Sequence, residues 1–100
     1  FVYALERAQT LGLIAASDDS LFACLSDQAV RSGKDGRLHM TGICEVAGLG
    51  GFEGAYRDGS SGYYLSEPVV DDDAKGVGPL MMCAANEIMN RDEEKISAVN

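Results

Sequence analysis

The stretch GICEVAGLGGFEGAYRDGSSG, residues 42–62, decides the fold because seven of its positions are glycine. Glycine at this density weakens helices and favours turns, bulges and close approach of backbone segments. Segments with the periodicity of amphipathic helices lie on both sides of this stretch. We therefore expect irregular antiparallel sheet in the middle of the chain, with helices before and after it.

Three segments show helical periodicity. The first covers residues 1–11 and ends at Gly12, and the second follows capping residues at positions 17–20 and runs from about Asp18 to Ser32. The third runs from about Pro79 to Arg91, since proline is well tolerated at a first helical position. The apolar face of this third helix consists of Leu80, Met81, Ala84, Ala85, Ile88 and Met89.

Two regions have the character of strands. Apolar residues alternate from Leu38 to Val46, with a bulge or twist expected at Gly42. Residues 52–57 and 62–67 then predict a hairpin around the turn at residues 58–61. The prediction is an α+β fold in one domain, residues 1–100, with a small antiparallel sheet of about three strands, including the glycine-rich hairpin, and two or three helices on one face. The expected core is Leu5, Leu21, Leu25, Met40, Cys44, Leu80 and Ile88.

The charge of the chain limits the classes of molecule that it is expected to bind. The net charge is −8 and the pI is about 4.4. Affinity for nucleic acid rests on lysine and arginine, and so does attraction to anionic lipid, so we expect neither partner. The longest apolar run, residues 11–16, is too short to cross a bilayer, so membrane insertion is not expected. An acidic surface suits solubility, a basic protein partner or mimicry of nucleic acid.

Three cysteines and a single histidine give no paired metal-ligand spacing, so neither a metal nor another cofactor is predicted. Cys24 and Cys83 both lie off the apolar faces of their helices, whereas Cys44 is expected to point into the core. Cys24 and Cys83 could form a disulfide with each other, or either could tether a second chain. The redox state of these thiols and the compartment stay open.

Three further features have simpler structural interpretations. The glycines of residues 48–54 resemble a phosphate-binding loop superficially, but no helix is expected after them, so a turning connector is predicted. The acidic run at residues 71–73 is expected to be a solvated approach to a helix. His39 is expected on the outward face of its strand, and pairing with Cys24 or Cys83 for catalysis is the less favoured alternative.

The partner-binding residues are predicted to be Tyr56, Tyr63 and Tyr64 on the hairpin and Met82 on the last helix, because tyrosine and methionine suit adaptable interfaces. The first functional hypothesis is a non-enzymatic, acidic protein-binding module or a small subunit of a larger assembly, as a homo- or hetero-oligomer. The alternative is a secreted, proteolytically matured toxin or effector chain, because the sequence starts at Phe1 rather than methionine and a processed N-terminus favours a secreted or organellar location. A small Cys/His-dependent enzyme is third.

Overall fold

Two short helices begin the chain in the computed structural model, which describes residues 1–52 and 54–99. Helix α1 spans Val2–Thr10 and α2 spans Leu21–Ala29. Ser20 is the N-cap of α2, and its hydroxyl accepts a hydrogen bond from the amide of Ala23 at 3.2 Å. The second helix is shorter than predicted because the chain leaves the helix at Val30, whose β-branched side chain suits the extended backbone that follows.

The described residues form six short strands, which pair two by two. Strands β1, Val30–Ser32, and β2, Leu38–Met40, form an antiparallel hairpin. Strands β3, Ile43–Cys44, and β6, Val69–Val70, pair with each other. Strands β4, Gly50–Phe52, and β5, Ala55–Arg57, form the glycine-rich hairpin. The α+β class is confirmed, with the strands distributed over three two-stranded antiparallel sheets.

Gly42 explains why the predicted strand from Leu38 to Val46 is divided between two sheets, with β2 in one and β3 in the other. Its φ of +76° lies in the left-handed region, which glycine adopts without the steric cost of a side chain. The chain therefore turns after Met40, and the following residues pair with β6 instead of continuing alongside β1. The predicted irregularity at Gly42 is present and is strong enough to end one strand and start another.

The predicted hairpin between residues 52–57 and 62–67 is wrong. Residues Ser61–Ser66 form a helix, α3, whose N-cap Ser60 accepts a hydrogen bond from the amide of Tyr63 at 3.1 Å. The hairpin closes earlier, between β4 and β5, so the predicted connector at residues 48–54 supplies one of its strands. Glu53, which was expected in the first strand, lies outside the described residues.

The last helix, α4, spans Ala74–Val99 and extends beyond the predicted range at both ends. Asp73 stabilises its start, because the side chain accepts a hydrogen bond from the amide of Lys75 at 2.9 Å. Pro79 lies inside the helix near this start. The acidic run at residues 71–73 therefore does lead into a helix, five residues earlier than the sequence indicates.

Helices α1, α2 and α4 pack against one another, yet the chain buries little apolar material. Of the side chains that the structure describes, the buried hydrophobic ones are those of Ile43 and Cys83. Leu5 and Ile88, predicted in the core, are 44% and 59% exposed. The other five predicted core residues are half-buried.

The dimensions agree with this thin core. The radius of gyration is 17.7 Å, whereas a compact domain of about 100 residues has about 13 Å. The accessible surface is 7533 Å², against about 5,500 Å² for a compact protein of this mass. Roughly 2,000 Å² of surface is therefore exposed beyond what a self-contained domain leaves open. In the described part of the chain, no helix has both the length and the apolar character that crossing a membrane requires.

Candidate functional site

The candidate site is centred on His39, which lies between two aspartates. Its Nδ1 is 2.6 Å from Oδ2 of Asp72, and its Nε2 is 2.9 Å from Oδ2 of Asp35. Asp35 belongs to the turn between β1 and β2, and Asp72 lies just before α4. Asp72 also forms two hydrogen bonds with Met40, both of 2.9 Å. The amide of Met40 donates to Oδ1 of Asp72, and the amide of Asp72 donates to the carbonyl of Met40. We call Asp35, His39 and Asp72 the histidine clasp.

The clasp holds His39 in its charged form. Hydrogen bonds to Asp72 and then Asp35 raise the pKa of His39 to about 9. The pKa values of both aspartates are lowered, first of all by their bonds to His39. Only the imidazolium can donate from both ring nitrogens, and each nitrogen already faces a carboxylate. In this arrangement neither nitrogen is free to take a proton from a cysteine thiol, and the clasp joins the hairpin to the start of α4.

The clasp predicts a pH dependence of stability with a definite sign. Because the pKa of His39 is about 9 in the folded chain and about 6.5 when unfolded, its stabilising effect is complete below about pH 6.5 and is lost as pH rises through 9. NMR titration of the single histidine should give a midpoint near 9. His39→Gln should flatten the stability profile between pH 6.5 and 9, with Lys34→Gln, an exposed residue of the same hairpin, as the control. A midpoint near 6.5 would contradict the clasp.

A second polar cluster is buried where α1 meets α4. Glu6 of α1 and Asn86 of α4 are 6% and 3% exposed, and the thiol of Cys83 is 1% exposed. Oε1 of Glu6 accepts a hydrogen bond from the amide of Phe22 at 2.6 Å, and Oδ1 of Asn86 accepts one from Arg7 at 3.1 Å. These hydrogen bonds join α1 to both α2 and α4 through polar groups.

Cys83 is the most buried residue of this cluster. Burial, followed by the nearby charge of Glu6, raises the pKa of its thiol, which disfavours the reactive thiolate. Cys24 is exposed, and both are free thiols in the structure. The bridge between Cys24 and Cys83, and the alternative tether to another chain, stay predictions. Cys44, expected in the core, is half-buried, and its thiol lies 3.3 Å from the carbonyl of Val46.

The residues predicted to bind a partner lie on three elements. Tyr56 is on β5, Tyr63 and Tyr64 are on α3, and Met82 is on α4. Tyr56, Tyr64 and Met82 are exposed. Tyr63 is half-buried, and its hydroxyl accepts a hydrogen bond from the amide of Gly48 at 3.1 Å. A hydrogen bond with Glu67 raises the pKa of Tyr63. The tyrosines therefore do not share one hairpin, and Tyr63 holds the glycine-rich segment.

The orientation of helix α4 is opposite to the prediction. Its polar face packs against α1, and much of the apolar face that was expected to be buried is exposed. The side toward α1 carries polar groups: Asn86 bonds to Arg7, and Asn90 bonds to Thr10 at 3.1 Å. Apolar residues on the other side are exposed, namely Met81, Met82, Ala85, Ile88, Met89 and Ile96. At about 100° per residue, the centre of this set lies about 180° from Cys83. We call these six residues the outer face of α4.

An acidic groove of about 530 Å³ lies between α1, the connector before α2, and α4. The carboxylates that line it belong to Glu6, Asp19, Glu87, Glu93 and Glu94. Its charge favours cations over anions. Among the described residues, however, no group of three or more potential metal ligands is arranged to hold an ion.

The chain is similar to proteins longer than itself. It matches no protein-family model. It is 47% identical over 97 residues to Protein Atu3128 of Agrobacterium fabrum and to the 24.9 kDa protein in the picA locus of Rhizobium radiobacter. Each match covers 89% of this chain and 42% of the relative. The chain thus spans less than half the length of the curated relatives that it matches.

One solved structure is similar in both fold and sequence. It is a glycoside hydrolase of family 105 from C. acetobutylicum ATCC 824, with a TM-score of 0.74 and 37% sequence identity. The match covers 85% of this chain and 24% of that protein. Most of the arrangement of helices and small sheets described above therefore occurs in that protein as one part of a chain about three and a half times as long.

Proposed function

We propose that this chain functions as one structural part of a larger, glycoside hydrolase-like protein rather than as a free-standing module. The observation that carries the proposal is the surplus of about 2,000 Å² of exposed surface over a self-contained domain of this size. Large apolar side chains are exposed as well, among them Leu49, Leu65 and Met81 at 79%, 82% and 66%, and large apolar patches on a surface mark interaction sites because soluble monomers rarely leave them open. The small-subunit hypothesis from the sequence also places the chain in a larger assembly, but as a separate polypeptide.

The comparisons support the choice of larger protein. A similarity of 37% identity at a TM-score of 0.74 to part of a glycoside hydrolase favours the same structural context here. On this proposal the complete protein hydrolyses glycosidic bonds, and the 100 residues alone have no such activity. Their contribution is to support the rest of the protein through α4 and the histidine clasp. The secreted toxin and the Cys/His-dependent enzyme stay alternatives that no contact in the described residues favours.

Intact-mass spectrometry of the polypeptide from its native source tests the proposal. We expect the sequence to occur within a polypeptide well above 10.6 kDa, or in a stable complex with one. The 100-residue chain by itself should bind the apolar dye ANS strongly and unfold with low cooperativity, because its core is thin. A native 10.6 kDa monomer that unfolds cooperatively and binds little ANS would overturn the proposal.

A further inference from the structure

The outer face of α4 has the spacing of a helix-packing surface. Met81, Ala85, Ile88 and Ile96 follow one another at intervals of three, four or eight residues, so they form a ridge along the helix. From Met81 to Ile96 this ridge is about 22 Å long at 1.5 Å per residue. Met81, Ile88 and Ile96 are 66%, 59% and 63% exposed. Ridges of this kind pack into the grooves of a neighbouring helix.

One charged residue interrupts the ridge. At about 100° per residue Asp92 lies on its centre line, between Ile88 and Ile96. Asp92 is exposed in the structure. Once a partner covers the ridge, this carboxylate loses water, and an unpaired buried carboxylate costs several kcal/mol. A partner that places a lysine or arginine at this position would remove that cost.

We propose that the outer face of α4 receives another helix of the same larger polypeptide, with apolar side chains against Met81, Ile88 and Met89 and a lysine or arginine against Asp92. This inference rests on the proposed function, and it specifies which surface makes the contact and the chemistry of its occupant. Helix α4 then lies between two helical layers, joined to α1 through polar bonds and to the new helix through apolar packing.

A second copy of this chain is the competing occupant, and charge disfavours it. Two copies would bring together chains that each carry a net charge of −8. A two-fold pairing of the outer faces would also bury Asp92 of both copies, and symmetry alone would place no cation opposite either carboxylate. A basic helix of the same polypeptide meets both requirements, and its tethering raises its effective concentration.

Photo-crosslinking in the native-length polypeptide tests the proposal. We would place a benzophenone amino acid at Met89 and, as a control, at Gln28, an exposed polar residue of α2. The expected result is an intramolecular cross-link from position 89 to an amphipathic helical segment outside the 100 residues, with at least tenfold lower yield from position 28. A cross-link between two copies, or equal yields from both positions, would overturn the inference.

Charge reversal gives a second readout that does not depend on the cross-linker. Asp92→Lys should lower the melting temperature of the native-length polypeptide more than Glu94→Lys, which changes an exposed residue away from the outer face. Changing the opposing cation, identified from the cross-link, to glutamate should restore the stability of the Asp92→Lys variant. Lack of restoration in a long native polypeptide overturns this inference alone, whereas a native 10.6 kDa monomer overturns the proposed function.

Discussion

Replacing Gly76 with alanine should destabilise the fold, whereas the same change at Gly78, two residues further along α4, should stabilise it. A Cβ on Gly76 would lie 2.7 Å from Cδ1 and 2.9 Å from Cγ1 of Ile43, one of the buried hydrophobic residues. It would also lie 3.2 Å from the sulfur of Met40. A Cβ on Gly78 meets no atom within 4 Å.

Alanine is favoured over glycine in a helix by about 1 kcal/mol, and this gain should appear in full at Gly78. At Gly76 the side chain of Ile43 must shift, and such overpacking costs about 1–3 kcal/mol. Because the gain from alanine applies to both variants, chemical denaturation should give free energies of unfolding that differ by the overpacking cost, about 1–3 kcal/mol. Equal gains in both variants would show that α4 approaches Ile43 less closely than the structure indicates.

Glu6→Ala should lower the free energy of unfolding by about 1–3 kcal/mol, since a buried donor then loses its acceptor. Oε1 of Glu6 accepts the amide proton of Phe22 in the first turn of α2, next to the cap that Ser20 provides for Ala23. The first amides of a helix have no partner within that helix. Glu6 therefore completes the capping of α2 from a different helix.

Glu6→Gln separates this role from the effect of the negative charge. Glutamine keeps an oxygen that can accept from Phe22, so its loss should be less than half that of alanine. Glu94→Ala, at an exposed position of α4, should change stability by no more than about 0.5 kcal/mol. Equal losses for the alanine and glutamine variants would mean that the negative charge of Glu6, which both variants remove, stabilises this contact rather than its shape or its acceptor oxygen.

Local signals in the sequence predicted the helical ends of the molecule but not the segment between them. The glycine after Leu11 correctly placed the end of α1, and the capping residues at positions 17–20 correctly indicated α2, which starts at Leu21, three residues after the predicted Asp18. The same kind of signal exists before α3, where Ser60 caps the helix as Ser20 caps α2. The turn signal at residues 58–61 outweighed this cap in the prediction, so Tyr63 and Tyr64 were assigned to a strand.

The polar contacts between distant residues could not be predicted. Asp72 is 33 residues from His39, and Asn86 is 79 residues from Arg7. No periodicity links such pairs, so the histidine clasp and the buried cluster at α1 and α4 were missed. The orientation of α4 was wrong for a different reason. An apolar face predicts burial, whereas the outer face of α4 is exposed in the structure.

The bonds between Met40 and Asp72 also have a consequence for how this fold can vary. They join the two ends of the excursion formed by residues 41–71, and the pairing of β3 with β6 lies just inside them. The paired strands β3 and β6, together with the Met40–Asp72 bonds, thus form a closed stem from which the glycine-rich hairpin and α3 extend. Because doubling the length of a flexible loop costs only about 0.6 kcal/mol, this stem can accept insertions while the helical frame stays intact. Related chains can therefore differ most in length at the excursion and still superimpose on α1, α2 and α4.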